Sequence, residues 1–301
     1  MKIVPSLLNR PESAVHEELQ GIASDAGMRV FAKTRLSDVI EKGSSFLTQR
    51  EFDFYSRSHF DFVLTDSTFL PLMVVEYDGP VHTQDKVQRE RDAIKNELCQ
   101  NANLGLLRIN DRYVTKLENG MTLLRWIIEV REIEKRFNEA QMDGSILWDE
   151  PFDPAFVQPG GDTKRFPYWL SRNATQSIHD FFDELDRAAP KGWTSICGED
   201  EKGNGHRLSF LHFGEQVLWC RTAMKKQNLE MGLDDLLREI DTCELGLCLR
   251  KFRKGEISSC TKGRFLSIFQ RFCEKYRAQP SFSSGTQPFN CSWNPTTGWK
   301  F

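Results

Sequence analysis

The sequence predicts an α/β fold, a mixed sheet flanked by helices, with a second α+β domain behind it. Between residues 10 and 142, apolar positions fall into helical spacings and short strand-like runs in the order helix, strand, strand, strand, helix, strand, helix. That succession suits a compact mixed sheet with covering helices. Between 143 and 165 the periodicity stops and Pro151, Pro154, Pro159, Gly160 and Gly161 accumulate, the composition of a linker. The 301 residues also exceed the usual size of one core. The expected organisation is a first domain over 1–142, a linker over 143–165 and an α+β domain over 166–301.

Over 13–26, Ala14, Val15, Leu19, Ile22 and Ala23 lie near one helical face, with Ser13 as the expected N-cap and Gly27 as the stop. A short strand is expected over 30–33. A clearer one covers 59–65, where Phe60, Phe62 and Leu64 alternate with polar or small residues, and the Asp66-Ser67-Thr68-Phe69 stretch reads as a turn. Residues 72–78 form an almost continuous apolar run ending in two carboxylates, the pattern of a strand buried on both faces that reaches a cleft. Gly79-Pro80 ends it. A highly charged helix follows over 85–101, then a buried strand over 104–109 and a long amphipathic helix over 121–142. In the second domain, helices are expected over 177–188, 233–242 and 263–276, and strands over 206–213, 216–220 and 246–252.

Composition narrows the class. With 39% apolar and 28% charged residues, 22 Phe and 7 Trp, the chain has ample core material and does not resemble a disordered one. No run approaches the roughly 18–20 uncharged apolar residues that span a bilayer. The first ten residues lack a basic flank leading into an apolar run, so a cytoplasmic location away from membranes is expected. The eight cysteines include no Cys-x-x-Cys pair, which favours reduced thiols. The spacing of Cys243, Cys248, Cys260 and Cys273 fits no common zinc module. A net charge of −3 gives no global sign of nucleic-acid binding.

The chemistry concentrates in the first domain. Glu76 and Asp78 stand two apart in a strand, so both carboxylates point to one face. Like charges held that close to an apolar strand need compensation, and a hard divalent cation such as magnesium supplies it while retaining water for chemistry. Asp61 joins them if the two strands pair, which the turn around Ser67 and Thr68 favours. The plain alternative is a solvated strand end whose acids pair with Arg89 or Arg91.

Taken together, His59-Phe-Asp-Phe-Val-Leu64, Val75-Glu-Tyr-Asp-Gly-Pro-Val-His82, Arg91-Asp92-Ala-Ile-Lys95 and Gly105-Leu-Leu-Arg108-Ile109 resemble the core of the very-short-patch-repair-like (Vsr-like) branch of the PD-(D/E)XK nuclease superfamily, over roughly residues 10–130. The likeness is to small bacterial domains of that branch without an assigned role. It implies a restriction-endonuclease-like fold and metal-dependent hydrolysis of phosphodiesters. Asp61, Glu76 and Asp78 would be metal ligands and catalytic acids, with Mg2+ as the ion and Mn2+ as a substitute. His82 would donate a proton or contact phosphate. His59 would support Asp61 from the same strand, and Glu12 would add a carboxylate from the first helix, with Glu17 competing for that role. The superfamily motif asks for Lys where this chain has Asp78. The resemblance points to Lys95 as the replacement, from a helix that also brings Arg91 and Asp92 towards the cleft.

The second domain carries a basic bias, with 13 Lys+Arg against 8 Asp+Glu over 221–280. Arg250, Lys251, Arg253 and Lys254 surround Phe252, a combination suited to backbone contact and base stacking, although such runs also form ordinary solvated faces. The expectation is a Mg2+-dependent deoxyribonuclease, an endonuclease of restriction, repair or antiviral defence. DNA is its expected partner, with room for a protein partner or a homo-oligomer. The alternative is a non-catalytic nucleic-acid-binding or scaffold subunit with a degenerate nuclease fold.

Overall fold

The computed structural model describes residues 3, 6–42, 47–79, 86–117, 120–152, 170–229 and 233–301. The chain divides into two compact units, Met1–Phe152 with Gln227–Glu230, and Asp153–Lys226 with Met231–Phe301. Of the expected linker, 143–152 belongs to the first unit and the rest lies outside the described residues, with Pro154, Pro159, Gly160 and Gly161.

The first unit contains α1 (Arg10–Ala26), β1 (Arg29–Arg35), α2 (Leu36–Val39), α3 (Gln49–Arg57), β2 (His59–Thr65), β3 (Pro71–Tyr77), α4 (Lys86–Asn101), β4 (Gly105–Ile109), α5 (Asp111–Val114) and α6 (Leu123–Met142). Its sheet runs β1-β2-β3-β4, with the first two pairings antiparallel and β3–β4 parallel, the mixed sheet expected of an α/β fold. On one face His16 of α1 stacks on Phe62. On the other, Val63, Val74 and Leu106 pack with Tyr55, Leu98 and Cys99 of the covering helices.

Helix α1 begins earlier than the apolar spacing suggests. Asn9, not Ser13, is the N-cap: its side chain accepts from the Glu12 amide at 2.9 Å while Glu12 Oε2 accepts from the Asn9 amide at 3.1 Å. This reciprocal capping box satisfies two backbone donors that the first turn leaves unpaired. Gly27 closes the helix in the left-handed conformation, φ 69°. Helix α3 starts on a second capping box, Thr48 with Glu51, and anchors through Tyr55 Oη, which donates to the Ile40 carbonyl at 2.6 Å.

The first unit also contains a segment from far along the chain. Asn228 exchanges backbone hydrogen bonds with Leu106 at 2.8 and 3.1 Å. The Gln227 side chain accepts from the Arg108 amide at 2.8 Å and donates to its carbonyl at 3.3 Å. Asn228 Nδ2 donates to the Leu104 carbonyl at 3.0 Å. These bonds cover the β4 edge, which would otherwise present unpaired donors and acceptors.

The second unit contains α7 (Arg172–Glu184), β5 (Lys191–Glu199), β6 (Gly205–Phe213), β7 (Gln216–Met224), α8 (Leu233–Arg253), β8 (Cys260–Thr261), α9 (Lys262–Tyr276), β9 (Gln279–Gly285), β10 (Ser292–Asn294) and β11 (Gly298–Lys300). An antiparallel sheet, β8-β7-β6-β5-β9, separates two cores. Alternate residues Ile196, Leu208, Phe210 and Val217 pack on α9. Trp193, Leu211, Leu218 and Cys220 pack on α7 and α8. The strand expected over 246–252 is instead the C-terminal part of α8. Leu245 and Leu249 are its buried i, i+4 pair, and Gly246 lies in the helix interior because Ala174 of α7 approaches so closely that a Cβ would meet Ala174 Cβ at 2.5 Å. Trp299 docks by donating to the Ala278 carbonyl at 2.8 Å. All eight cysteines are free thiols. Among the described residues, no helix is long and apolar enough to cross a membrane.

Candidate functional site

Three elements bring the charged residues of the first unit together. The β2–β3 register sets Phe62 opposite Val75, so Asp61 and Glu76, one step further along, are neighbours across the strands. Two backbone bonds fix the pair: the Tyr77 amide donates to Asp61 Oδ2 at 2.9 Å and the Asp61 amide to Glu76 Oε1 at 3.3 Å. Helix α4 supplies Lys95, whose ammonium lies 2.6 Å from Glu76 Oε2, 2.8 Å from the His59 carbonyl and 5.7 Å from the centre of the Phe60 ring. Both side chains of this ion pair are sequestered, Lys95 at 12% and Glu76 at 8% exposure. Burial pushes the Glu76 carboxyl above its ordinary value, the Lys95 ammonium opposes that shift and the Asp61 charge reinforces it.

On the other side of Asp61 stands Lys33 of β1. Its ammonium bridges Asp61 Oδ1 at 2.7 Å and Glu12 Oε1 at 2.9 Å. Burial works against the Lys33 charge, yet the hydrogen bonds it donates to Asp61 and Glu12 hold its pKa above the ordinary value. Glu12 therefore serves twice, capping α1 and holding Lys33. The chain of contacts runs Glu12, Lys33, Asp61, Glu76, Lys95.

Asp78 takes a different partner. Its amide extends the β3–β4 pairing by donating to the Ile109 carbonyl at 2.7 Å, and its Oδ1 is 3.4 Å from Arg108 Nη1. The buried Arg108 guanidinium also reaches Asp92 Oδ1 at 3.2 Å and Asn96 Oδ1 at 3.1 Å. Gln88 completes this group with a 3.0 Å bond to Asp92. Among the described residues Lys95 thus pairs with Glu76 and Arg108 with Asp78, and the Arg89 side chain lies outside the described residues. Among the described residues, no three His, Cys, Asp or Glu side chains are gathered as a ready metal cage. Asp61 and Glu76 form the adjoining pair.

The donor set nevertheless suits a hard divalent cation. Among the described residues the contacts form two groups, Glu12, Asp61 and Glu76 with Lys33 and Lys95, and Asp78 and Asp92 with Arg108. All the anionic donors are oxygens, as magnesium or manganese prefers.

The remaining candidates fall as follows. His82 lies outside the described residues. The His59 side chain is exposed, and it is the residue's carbonyl that meets Lys95. Arg91 and Glu17 are exposed on their helices, and Asp92 belongs to the Arg108 group. Arg250, Lys251 and Arg253 occupy the last turn of α8, with Lys254 just beyond, where cations offset the carbonyl end of a helix. Arg253 pairs with Glu184 at 2.9 Å. Phe252 is half-buried and packs against the Phe213 ring at 5.6 Å and the Phe181 ring at 6.4 Å.

Sequence reasoning missed Lys33 and left Arg108 between binding phosphate and pairing with an acidic neighbour, of which the structure shows the pairing. Lys33 stands in a short strand with no motif around it, and only the cross-strand geometry brings it to Asp61. Arg108 had one legible signal, a lone cation in an apolar strand beside an acidic strand end.

Residues 4–121 match a family model described as "Protein of unknown function (DUF2726)". That span includes Glu12, Lys33, Asp61, Glu76, Asp78, Lys95 and Arg108. A relative from Haemophilus influenzae, described as an uncharacterized protein, is 28% identical over 128 residues, covering 41% of this chain and 65% of its own length. The chain thus spans somewhat under two thirds of that relative. No solved structure matches the chain.

Proposed function

We propose that the first unit is a divalent-metal-dependent nuclease that hydrolyses phosphodiester bonds of DNA as an endonuclease, in the manner its resemblance to Vsr-like PD-(D/E)XK domains implies. One observation carries the reading: a sequestered Lys95–Glu76 ion pair lies directly beside Asp61, so two carboxylates and one ammonium share a small, water-poor region. An acid pair with an adjoining lysine is the minimum set for this chemistry. Asp61 and Glu76 would hold the ion, with Glu12 joined to Asp61 through Lys33 and Asp78 held by Arg108 at the end of the same strand. When bound, the ion supplies an activated water and stabilises charge on the scissile phosphate. Lys95, steered by Glu76 and the His59 carbonyl, orients that water and offsets the charge developing on phosphate oxygens. Arg108 holds Asp78 and Asp92 in place at the end of β3 and on α4.

The basic end of α8 would contribute phosphate contacts in the second unit, through Arg250, Lys251, Arg253 and Lys254. Restriction, repair and antiviral defence in the cytoplasm are settings that use such an activity, and a protein partner or a second copy is compatible with it. The test is nicking or cutting of plasmid DNA by the full chain with Mg2+ or Mn2+. Asp61→Asn and Glu76→Gln should each lose cutting while retaining the wild-type melting profile. Full cutting by both variants would refute the assignment.

A second reading has its own support: Lys33 already bridges Glu12 and Asp61 without any ion. On that reading the unit is a non-catalytic nucleic-acid-binding or scaffold module with a degenerate nuclease fold. It requires salt-sensitive DNA binding and no hydrolysis with any divalent ion.

A further inference from the structure

Every carboxylate oxygen of Glu12, Asp61 and Glu76 already accepts a hydrogen bond. The Asn9, Tyr77 and Asp61 amides take one oxygen of each, and Lys33 and Lys95 take the others. The amides are fixed in a helix cap and a sheet ladder. Only the two lysine side chains can leave without unravelling an element.

They differ in freedom. Lys95 is 12% exposed and also bonded to a carbonyl, whereas Lys33 is 35% exposed and its ammonium is bonded to the carboxylates of Glu12 and Asp61. Lys33 also has an unusual backbone. Its φ is 53° inside an otherwise extended strand, while Ala32↔Phe62 and Thr34↔Phe60 keep the β1–β2 register on either side. Lysine has no intrinsic preference for the left-handed region, so this conformation stores strain at the charged cluster.

We infer that Lys33 is a displaceable counter-cation: it bridges Glu12 and Asp61 in the metal-free protein, and a divalent ion must push it aside to reach Asp61. The inference rests on the nuclease reading only in taking Asp61 as a metal ligand. Two cations cannot share Asp61 Oδ1 without strong like-charge repulsion, because an ion in contact with that oxygen lies within a few ångströms of an ammonium bonded to it. Lys33 thereby sets the metal concentration at which the site fills. Once released, its side chain reaches solvent beside the site.

The experiment measures Mn2+ binding to the full chain without DNA, by calorimetry and by the electron paramagnetic resonance signal of free Mn2+. Lys33→Gln removes the charge and keeps hydrogen-bonding capacity. Lys33→Asn removes the charge with a residue that tolerates positive φ, which guards against misfolding of the first variant. Lys33→Arg keeps the charge. Both neutral variants should bind Mn2+ at least about tenfold more tightly than wild type, with Lys33→Arg no tighter. Asp61→Asn should abolish the gain. Equal or weaker binding by the neutral variants, with wild type still binding Mn2+ and cutting DNA, would overturn the inference and leave the nuclease reading standing. Absence of Mn2+ binding in wild type and all variants would overturn both.

Discussion

Replacing Lys95 by methionine removes the ammonium from Glu76 while keeping most of the side-chain volume. The two charges are 2.6 Å apart, and their side chains are only 12% and 8% exposed. Water cannot take over the role of the lost cation, so the variant leaves a buried carboxylate without its main counter-charge. Breaking a buried pair in this way costs about 3–5 kcal/mol. For a unit of this size, with a urea m-value of about 2 kcal/mol/M, the unfolding midpoint should fall by about 2 M.

The cost should also depend on pH with a definite sign. Burial raises the Glu76 pKa in the folded protein, so the folded state holds this proton more tightly than the unfolded chain does. The associated stability is fully present below the ordinary carboxyl value and is lost as pH rises through the folded one. Lys95 opposes this shift, and its removal raises the folded value further. The deficit of Lys95→Met should therefore be small near about pH 5 and reach its full size at about pH 7.5. The double variant Lys95→Met/Glu76→Gln should recover most of the loss, because neither buried charge remains. Urea unfolding of the four proteins at both pH values is the assay. A deficit equal at both pH values, together with strict additivity in the double variant, would refute the buried-pair argument.

Other consequences are simpler to check. Asn9→Ala removes the cap of α1 and the amide–Glu12 reciprocity, and should lower stability by about 1 kcal/mol in chemical unfolding. An unchanged midpoint would contradict the capping-box assignment. Arg277 ends α9 with φ 47° and an exposed side chain, so Arg277→Gly should raise stability by about 0.5–1 kcal/mol, where a loss would show that the side chain has a compensating role. If the end of α8 contacts DNA, replacing Arg250, Lys251 and Lys254 by alanine should make the slope of log affinity against log salt shallower by about 2–3. An unchanged slope would return these residues to a helix-end role.

The centre of the first unit was legible because its two middle strands are short apolar runs, buried on both faces over most of their length. The strand His59–Thr65 and the run ending in Glu76 and Asp78 announce themselves through Phe60, Phe62, Val74 and Val75, all buried, with charges only at their ends. From the spacing alone, Glu76 and Asp78 share a face, and that face is the one covered by α4. What was not legible depends on pairings distant in sequence. Lys33 gains its place from a left-handed residue opposite Asp61, and no local pattern encodes that conformation. Gln227 and Asn228 reach Arg108 and Leu104 from more than a hundred residues away.

The second unit shows the opposite failures. Strand β5 escaped notice because it is buried on both faces and each carries a polar group, Ser195 bonded to Asp241 and Thr194 to Ser283, so the apolar alternation is broken. The C-terminal part of α8 read as a strand because Leu245, Leu247 and Leu249 alternate and Gly246 lies among them. The helix wins because that glycine admits Ala174 of α7.

The central claim is that Asp61 and Glu76 together hold a divalent ion. Anomalous scattering from crystals of the full chain soaked in Mn2+ tests it most directly. The account requires a manganese peak about 2.1–2.3 Å from one oxygen of each residue, with Lys95 still bonded to Glu76. Manganese bound at saturation elsewhere, with both carboxylates still holding only their lysines, would contradict it.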